Sequence, residues 1–519
     1  MAAIGAVAGG CPSTPENTTS ESTTTGSDCD PGSLDCECYD DSTCDGGLIC
    51  ASNLCVDDSP VTAGTQTTTG TTTGPSTDTD TTGTTDGTET SSGTTSSLEC
   101  DPGLGLVNEA CADGNAPYCA DDGSCGDCTA IDCAGLTGTT VCDPGIGLCV
   151  ECSAEDASAC SGVSPVCDAA TNTCVACTEH EDCKSGACNL FTGACFPGDA
   201  LYVDKSVAPG GCAGATGAED KPYCEIQDAV ATVGKNEPTI IWVKPAATSY
   251  ASKVTVESAR IVAIRSTNNS RARLEVSDTD SFQISQGGVA LLDRLQIGYS
   301  SEDRGVFCSG GKLWADDSWV VDRGDVGVDA MSGCALWLRR AKIEGNEQGG
   351  IRIVGGELHL ENTFIVNNGW DGSLVGGVST SAATQVDVLY TSLIRNYVND
   401  LQSAASMKCS DDTSGTVRNS ILLGGQNIAS IECAGIEVEY SAVDKDKLVP
   451  DGSNNTLVSS YDFGWFVNPP SDFHLKSGVL TPFKDVGLWS TGDPSIDHDG
   501  DLRPTEDTAP DFVGADIPK

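Results

Sequence analysis

The chain has 519 residues, a formal net charge of −49, 29 cysteines, 60 glycines and only 5% aromatic residues. So many thiols argue against a reducing compartment, where they would have no bridging role. The acidic field argues against nucleic acid and anionic lipid surfaces as partners. With four histidines and no paired C-x-x-C knuckle flanked by basic residues, disulfides rather than metal account for the cysteines.

Residues 1–11 end in a run of small residues before Cys11, and no apolar run is long enough to span a bilayer. This start resembles the end of a bacterial lipoprotein signal, although its basic beginning is missing and Ala8 departs from the usual Leu. The resemblance implies lipidation at Cys11 and membrane contact through that lipid alone. Setting Cys11 aside leaves an even number of cysteines, all able to pair. Residues 12–28 read as a polar tether. Residues 29–56 hold six cysteines in a segment too short to bury a core, so bridges must supply its fold. Residues 57–98 are Thr, Gly, Ser and Asp with almost no apolar side chains, which predicts a disordered stalk. Up to residue 199 there are 32 Asp and Glu against one Lys, Lys184.

Residues 99–198 carry sixteen cysteines in a degenerate repeat. Cys128, Cys152 and Cys177 are spaced by 24 and 25 residues, the period of a linear array of stapled units. Spacing alone leaves their pairing open.

From 199 to 470 a second repeat appears. Small or apolar markers recur at Leu295, Ser318, Ala341, Thr363, Thr391, Ser420 and Ser441, at intervals of 21–29 residues. Two residues after each marker an apolar side chain follows, and two more stand three and five residues before it, apart from Gly415. Each unit therefore predicts two short strands of period 2 with a sharp bend between them. Asn346, Asn368 and Asn396 recur at one turn, where stacked amides hydrogen-bond from rung to rung. The fold class expected is all-β, a right-handed parallel β-helix built as a single-strand solenoid, preceded by small disulfide-rich modules and a disordered Thr-rich linker. Cys308 with Cys334 and Cys409 with Cys433 fall at matching turns of adjacent rungs, and both bridges are expected; Cys212–Cys224 should staple the entry loop.

Leu201-Tyr-Val-Asp204, Lys221 to Val230 and Ile240 to Pro245 resemble the opening of pectin-lyase-like β-helix proteins, which implies a capping helix near 225–234 over the first rung. Asp472 to Gly478 and Ile496 to Pro504, followed by Pro510 to Asp516, resemble the tail of the choice-of-anchor Q family of bacterial surface proteins, and 471–519 are read as that tail. Leu480 to Lys484 departs from the usual Ser-Pro-Ala-Ile-Asp element. The resemblance implies a fold and a place on the outer bacterial surface, and no activity.

Carboxylates at Asp316, Asp317, Asp322 and Asp325 are the catalytic candidates for a polysaccharide lyase or hydrolase. Register places Asp293, Asp316, Arg339 and Glu361 in one outward column, with Arg294, Asp317 and Arg340 beside it, which reads instead as a salt-bridge ladder on a solvated face. Trp314, Trp337 and His359 form one outward column and Trp319 and Phe364 belong to another. Stacked aromatic faces can bind sugar rings. Asp497, Asp499 and Asp501 form an acidic turn that offers Ca2+ ligands without the EF-hand pattern; no other cofactor is expected. The leading expectation is a monomeric, surface-anchored, non-enzymatic binding protein whose partner is a glycan or a cell-surface or matrix component. A polysaccharide lyase or hydrolase is the alternative, and a structural spacer a third.

Overall fold

The computed structural model describes residues 118–519 except 120–123, 137, 208–211, 301–302, 371–372, 400–403, 425–428, 445–453 and 460, together with the strands Leu48–Ala51 and Leu54–Asp57. Cys11, the tether at 12–28, the stalk at 57–98 and most of the module at 29–56 lie outside the described residues. The chain divides into two compact units, Met1–Ser92 and Gly93–Lys519. In the first, the two strands form a hairpin that sets Cys50 opposite Cys55.

In the second unit the cysteine array resolves into repeats with one wiring. Cys128–Cys142 and Cys133–Cys149, Cys152–Cys167 and Cys160–Cys174, then Cys177–Cys188 and Cys183–Cys195 join first to third and second to fourth cysteine. The last two cysteines of each repeat face each other across a two-stranded hairpin. Asp143, Asp168 and Asn189 close the three turns by accepting the amide two residues on. Each bridge closes a loop of 11–16 residues, worth about 3 kcal/mol through the unfolded chain. Bridges stand in for the core that so short a repeat cannot build.

From Ala200 onward the chain winds as a parallel β-helix. On its first face run β1 (Val289–Asp293), β2 (Lys312–Asp316), β3 (Val326–Arg339), β4 (Gly349–Glu361), β5 (Val378–Leu389), β6 (Ser414–Arg418) and β7 (Ile436–Glu439), all parallel. The second face stacks Leu295–Ser300, Trp319–Arg323, Lys342–Glu344, Phe364–Val366, Ser392–Ile394, Ile421–Leu423 and Ala442–Asp444. The bend between these faces has one cause. The residue before each marker, Arg294, Asp317, Arg340, Asn362, Tyr390, Asn419 or Tyr440, takes a left-handed φ of 47–55°, or 45° at Asp317. That conformation is uncommon for residues with a Cβ. The marker hydroxyls hold it in place: Ser318, Thr363, Ser420 and Ser441 accept the amide of the preceding rung's marker at 3.0–3.3 Å.

A third strand per rung, absent from the two-strand expectation, runs through Phe282–Ser285, Val306–Ser309, the first halves of β3 to β5, Met407–Lys408 and Ile431–Glu432. Its apolar residues sit at no fixed distance from the markers, because the loop leading into it varies in length. That loop also causes the longer rungs.

Apolar residues from all three faces form one core, closed at its start by α1 (Ile226–Thr232), which buries Ile226, Ala229 and Val230. Asn346 Nδ2 donates to Asn368 Oδ1 at 2.8 Å and Asn368 Nδ2 to Asn396 Oδ1 at 3.0 Å, all three fully buried, as the ladder expects. The expected bridges Cys212–Cys224, Cys308–Cys334 and Cys409–Cys433 are present. A second cluster lies outside the solenoid: Phe466, Phe473, Leu475, Phe483, Val513 and Ala515 of the tail pack on Phe364, Ile394, Ile421 and Ala442 of the second face.

Candidate functional site

Leu291, Trp314, Trp337, His359 and Asp387 occupy one position on β1 to β5. Parallel strands in register lie about 4.8 Å apart, so equivalent side chains meet ring on ring. Trp314 and Trp337 stack with centroids 4.7 Å apart, and Trp337 and His359 at 3.9 Å. All three rings are half-buried.

The third cysteine repeat docks on the start of this column. Ala187 and Phe196 join Ile240, Ala263 and Leu291 in a small apolar cluster. Phe191 meets Trp314 edge-on at 5.5 Å and Trp337 at 6.3 Å. Past the docked repeat the column forms the floor of a groove of about 950 Å³, with Glu179, Asp182 and Leu190 on one wall and Pro494 and Ile496 of the tail on the other. The repeat does not project as a free spacer: it shapes the groove.

The charge ladder is present, and buried rather than solvated. Asp293, Asp316, Arg339 and Glu361 lie in register. Asp316 is 2% exposed and receives Arg339 at 2.6 Å and Arg340 at 2.7 Å. Burial works to raise its carboxyl, but the two guanidiniums hold it below the usual carboxylate range. Glu179 of the docked repeat takes Arg339 through both oxygens at 2.8 and 2.7 Å, and Glu181 takes Arg265 at 3.1 Å. The docking itself removes water from the ladder.

The four catalytic candidates do not converge. Asp316 is committed to two arginines, and Asp317 is paired with Arg271. Asp322 is exposed, and Asp325 accepts the amide of Val326 at 2.8 Å. Neither of the latter lines the groove. The carboxyl that stands out is Glu361, at the groove floor. Burial pushes it up, against the pull of Arg339. Its neighbour on the next rung is Leu389, so the ladder ends there without a second cation. The signal in the sequence was the point at which the charged column stops. Six carboxylates (Glu179, Glu181, Asp182, Glu361, Asp387 and Asp493) and two arginines line the groove. The surplus is negative.

The second aromatic column is covered. Arg271 lies 3.8 Å over the Trp319 ring, and Lys342 5.3 Å from it. Phe364 is 2% exposed beneath His474 and His498 of the tail, at 4.8 and 4.9 Å, so it belongs to the packing and not to a binding face. His180, 2% exposed, accepts the Cys188 amide on Nδ1 at 3.1 Å, and burial pushes it down to about 4.

Asp497, Asp499 and Asp501 do not converge as a Ca2+ site requires. Asp497 Oδ1 accepts the amides of Asp499 and Asp501, and Oδ2 that of Ile517, at 2.8–2.9 Å. Its oxygens are spent on the turn. Lys519 pairs with the other two carboxylates.

A family of unknown function (DUF8331) matches residues 80–201, which covers the stalk end and the cysteine array. No curated protein matches. Among solved structures, pectate lyase Pel9A is 12% identical with a TM-score of 0.34 over 62% of this chain and 97% of that one. A rhamnogalacturonan lyase is 11% identical with a TM-score of 0.27 over 60% of this chain and 96% of that one. Both overlaps are loose and say nothing of this chain's chemistry.

Proposed function

We propose that this chain is a secreted, surface-attached glycan-binding protein that holds neutral sugar rings on the Trp314–Trp337–His359 column. The stacked rings on the floor of an open groove are the observation that carries this reading. Apolar sugar faces pack on indole rings, and a groove of this width restricts the approach of a chain of rings. The carboxylate surplus along the walls disfavours polyuronates, by like-charge repulsion. The described disulfides suit an oxidising, extracellular setting. Attachment through lipidated Cys11 and a monomeric state complete the proposal.

Affinity electrophoresis of the full chain in gels containing neutral or acidic polysaccharides tests it. Retardation by a neutral polymer, lost in Trp314→Ala plus Trp337→Ala, is the expected result. Mobility unchanged in every gel refutes it.

Hydrolysis is a second reading, favoured by Glu361 alone. A carboxyl raised by burial beside a sugar-sized surface has the character of a general acid. Reducing ends released by the wild type and not by Glu361→Gln would support it. Binding without release leaves the first reading.

A further inference from the structure

The tail gathers two imidazoles and a carboxylate that the glycan groove does not use. His474 lies in the strand Asp472–Leu475, and His498 and Asp499 lie in the turn closed by the Ile496–Leu502 bridge. One ligand atom of each lies within 4.8 Å of the other two. The other tight groups of this kind among the described residues are cysteines already held in disulfides.

The hydrogen bonds around the rings settle which nitrogens are free. His474 Nδ1 is held by Asp472 at 2.6 Å. Its Nε2 is buried, stands 3.5 Å from Asp499 Oδ1, and has no hydrogen-bond partner. His498 Nδ1 lies 3.0 Å from the carbonyl oxygen of Asn362, which can only accept, so Nδ1 carries the proton and Nε2 keeps its lone pair. A carboxylate on one ring and a backbone carbonyl on the other are the outer partners that orient metal-bound imidazoles. Phe364 meets both rings near edge-on and limits their rotation.

We propose that His474, His498 and Asp499 form a site for a divalent transition metal, Zn2+ by preference. Two imidazoles and one carboxylate suit Zn2+ and its neighbours far better than Ca2+ or Mg2+, which favour all-oxygen sets. Lys519, 3.5 Å from Asp499, has a side chain 67% exposed and can swing away at little cost. Three protein ligands leave a coordination position open. His498 and Asp499 also line a polar cavity of about 430 Å³ whose wall includes Arg271, Arg294 and Arg340, so water or a small anion can complete the shell. The metal would tie the hairpin at 472–475 to the turn at 496–502, both of which cover the second face of the solenoid.

The full chain, stripped with chelator, is titrated with Zn2+ by calorimetry and with Co2+ by visible absorption. One Zn2+ per chain and a Co2+ ligand-field band are expected, with both lost in His474→Gln and in His498→Gln. Asp472→Asn keeps all three ligands and removes only the outer partner of His474; it should weaken Zn2+ roughly 10–100-fold. Asp472 has a side chain 35% exposed, so this variant serves if either imidazole variant disturbs the tail. No Co2+ band in the wild type, or Zn2+ uptake unmoved in all three variants, overturns the site. Uptake unmoved by the variants would instead mark diffuse binding to the acidic surface.

Discussion

Two outward columns of the same solenoid meet different fates. On the first face Trp314, Trp337 and His359 remain half-buried and floor an open groove. On the second face Phe364, Ser392, Ile421 and Ala442 are buried, under a tail that begins beyond residue 460. Strand register and period are the same in both. What decides which column can meet a ligand is a segment far along the chain that lays its own aromatics on one face and leaves the other to a cysteine repeat. An aromatic column on a β-helix is therefore a binding surface only when nothing in the same chain has claimed it.

Three substitutions or conditions sharpen that contrast. The largest effect is expected at the buried charges. Asp316→Ala leaves Arg339 and Arg340 without their shared carboxylate and should cost about 3–5 kcal/mol in urea unfolding. A loss below about 1 kcal/mol would show the ladder to be solvated after all.

Phe364→Ala and Trp337→Ala form the matched pair. The first should lower stability by about 3–5 kcal/mol and leave glycan affinity unchanged. The second should lower affinity by roughly 2 kcal/mol, about 30-fold, with a smaller change in stability. Equal effects of both variants on binding would erase the distinction between the faces.

The smallest effect is a pH dependence of the docked repeat. His180 is held at about 4 by burial, below its ordinary value of 6.5. Its contribution is complete above pH 6.5, because only the undocked form takes up a proton as pH falls. It is lost progressively down to about pH 4. Between pH 7 and 6 the cost is about 0.7 kcal/mol. Limited proteolysis of the 177–195 segment should quicken over that range, and His180→Gln should flatten the slope.

What repeats within one rung was legible in the sequence. The marker hydroxyls, the Asn346–Asn368–Asn396 ladder and the bridges Cys308–Cys334 and Cys409–Cys433 each involve neighbouring rungs, so a fixed period exposes them. The charged and aromatic columns were legible for the same reason. Glu179 reaching Arg339 across 160 residues carries no periodic signal, and neither does the tail lying over Phe364. The acidic turn was visible, but its meaning was not: Asp497 is spent on backbone amides, while His474, 24 residues away, supplies the neighbour that Asp499 meets. The third strand of each rung escaped because a loop of variable length separates it from the markers.

The most direct measurement is hydrogen–deuterium exchange of the full chain with and without the neutral polysaccharide that retards it most. Protection should fall on the groove, in peptides covering 178–191, 312–319 and 335–342, with the tail over Phe364 unchanged. Protection confined to the tail, or none in the groove peptides while the polysaccharide is bound, would contradict the assignment of the binding face.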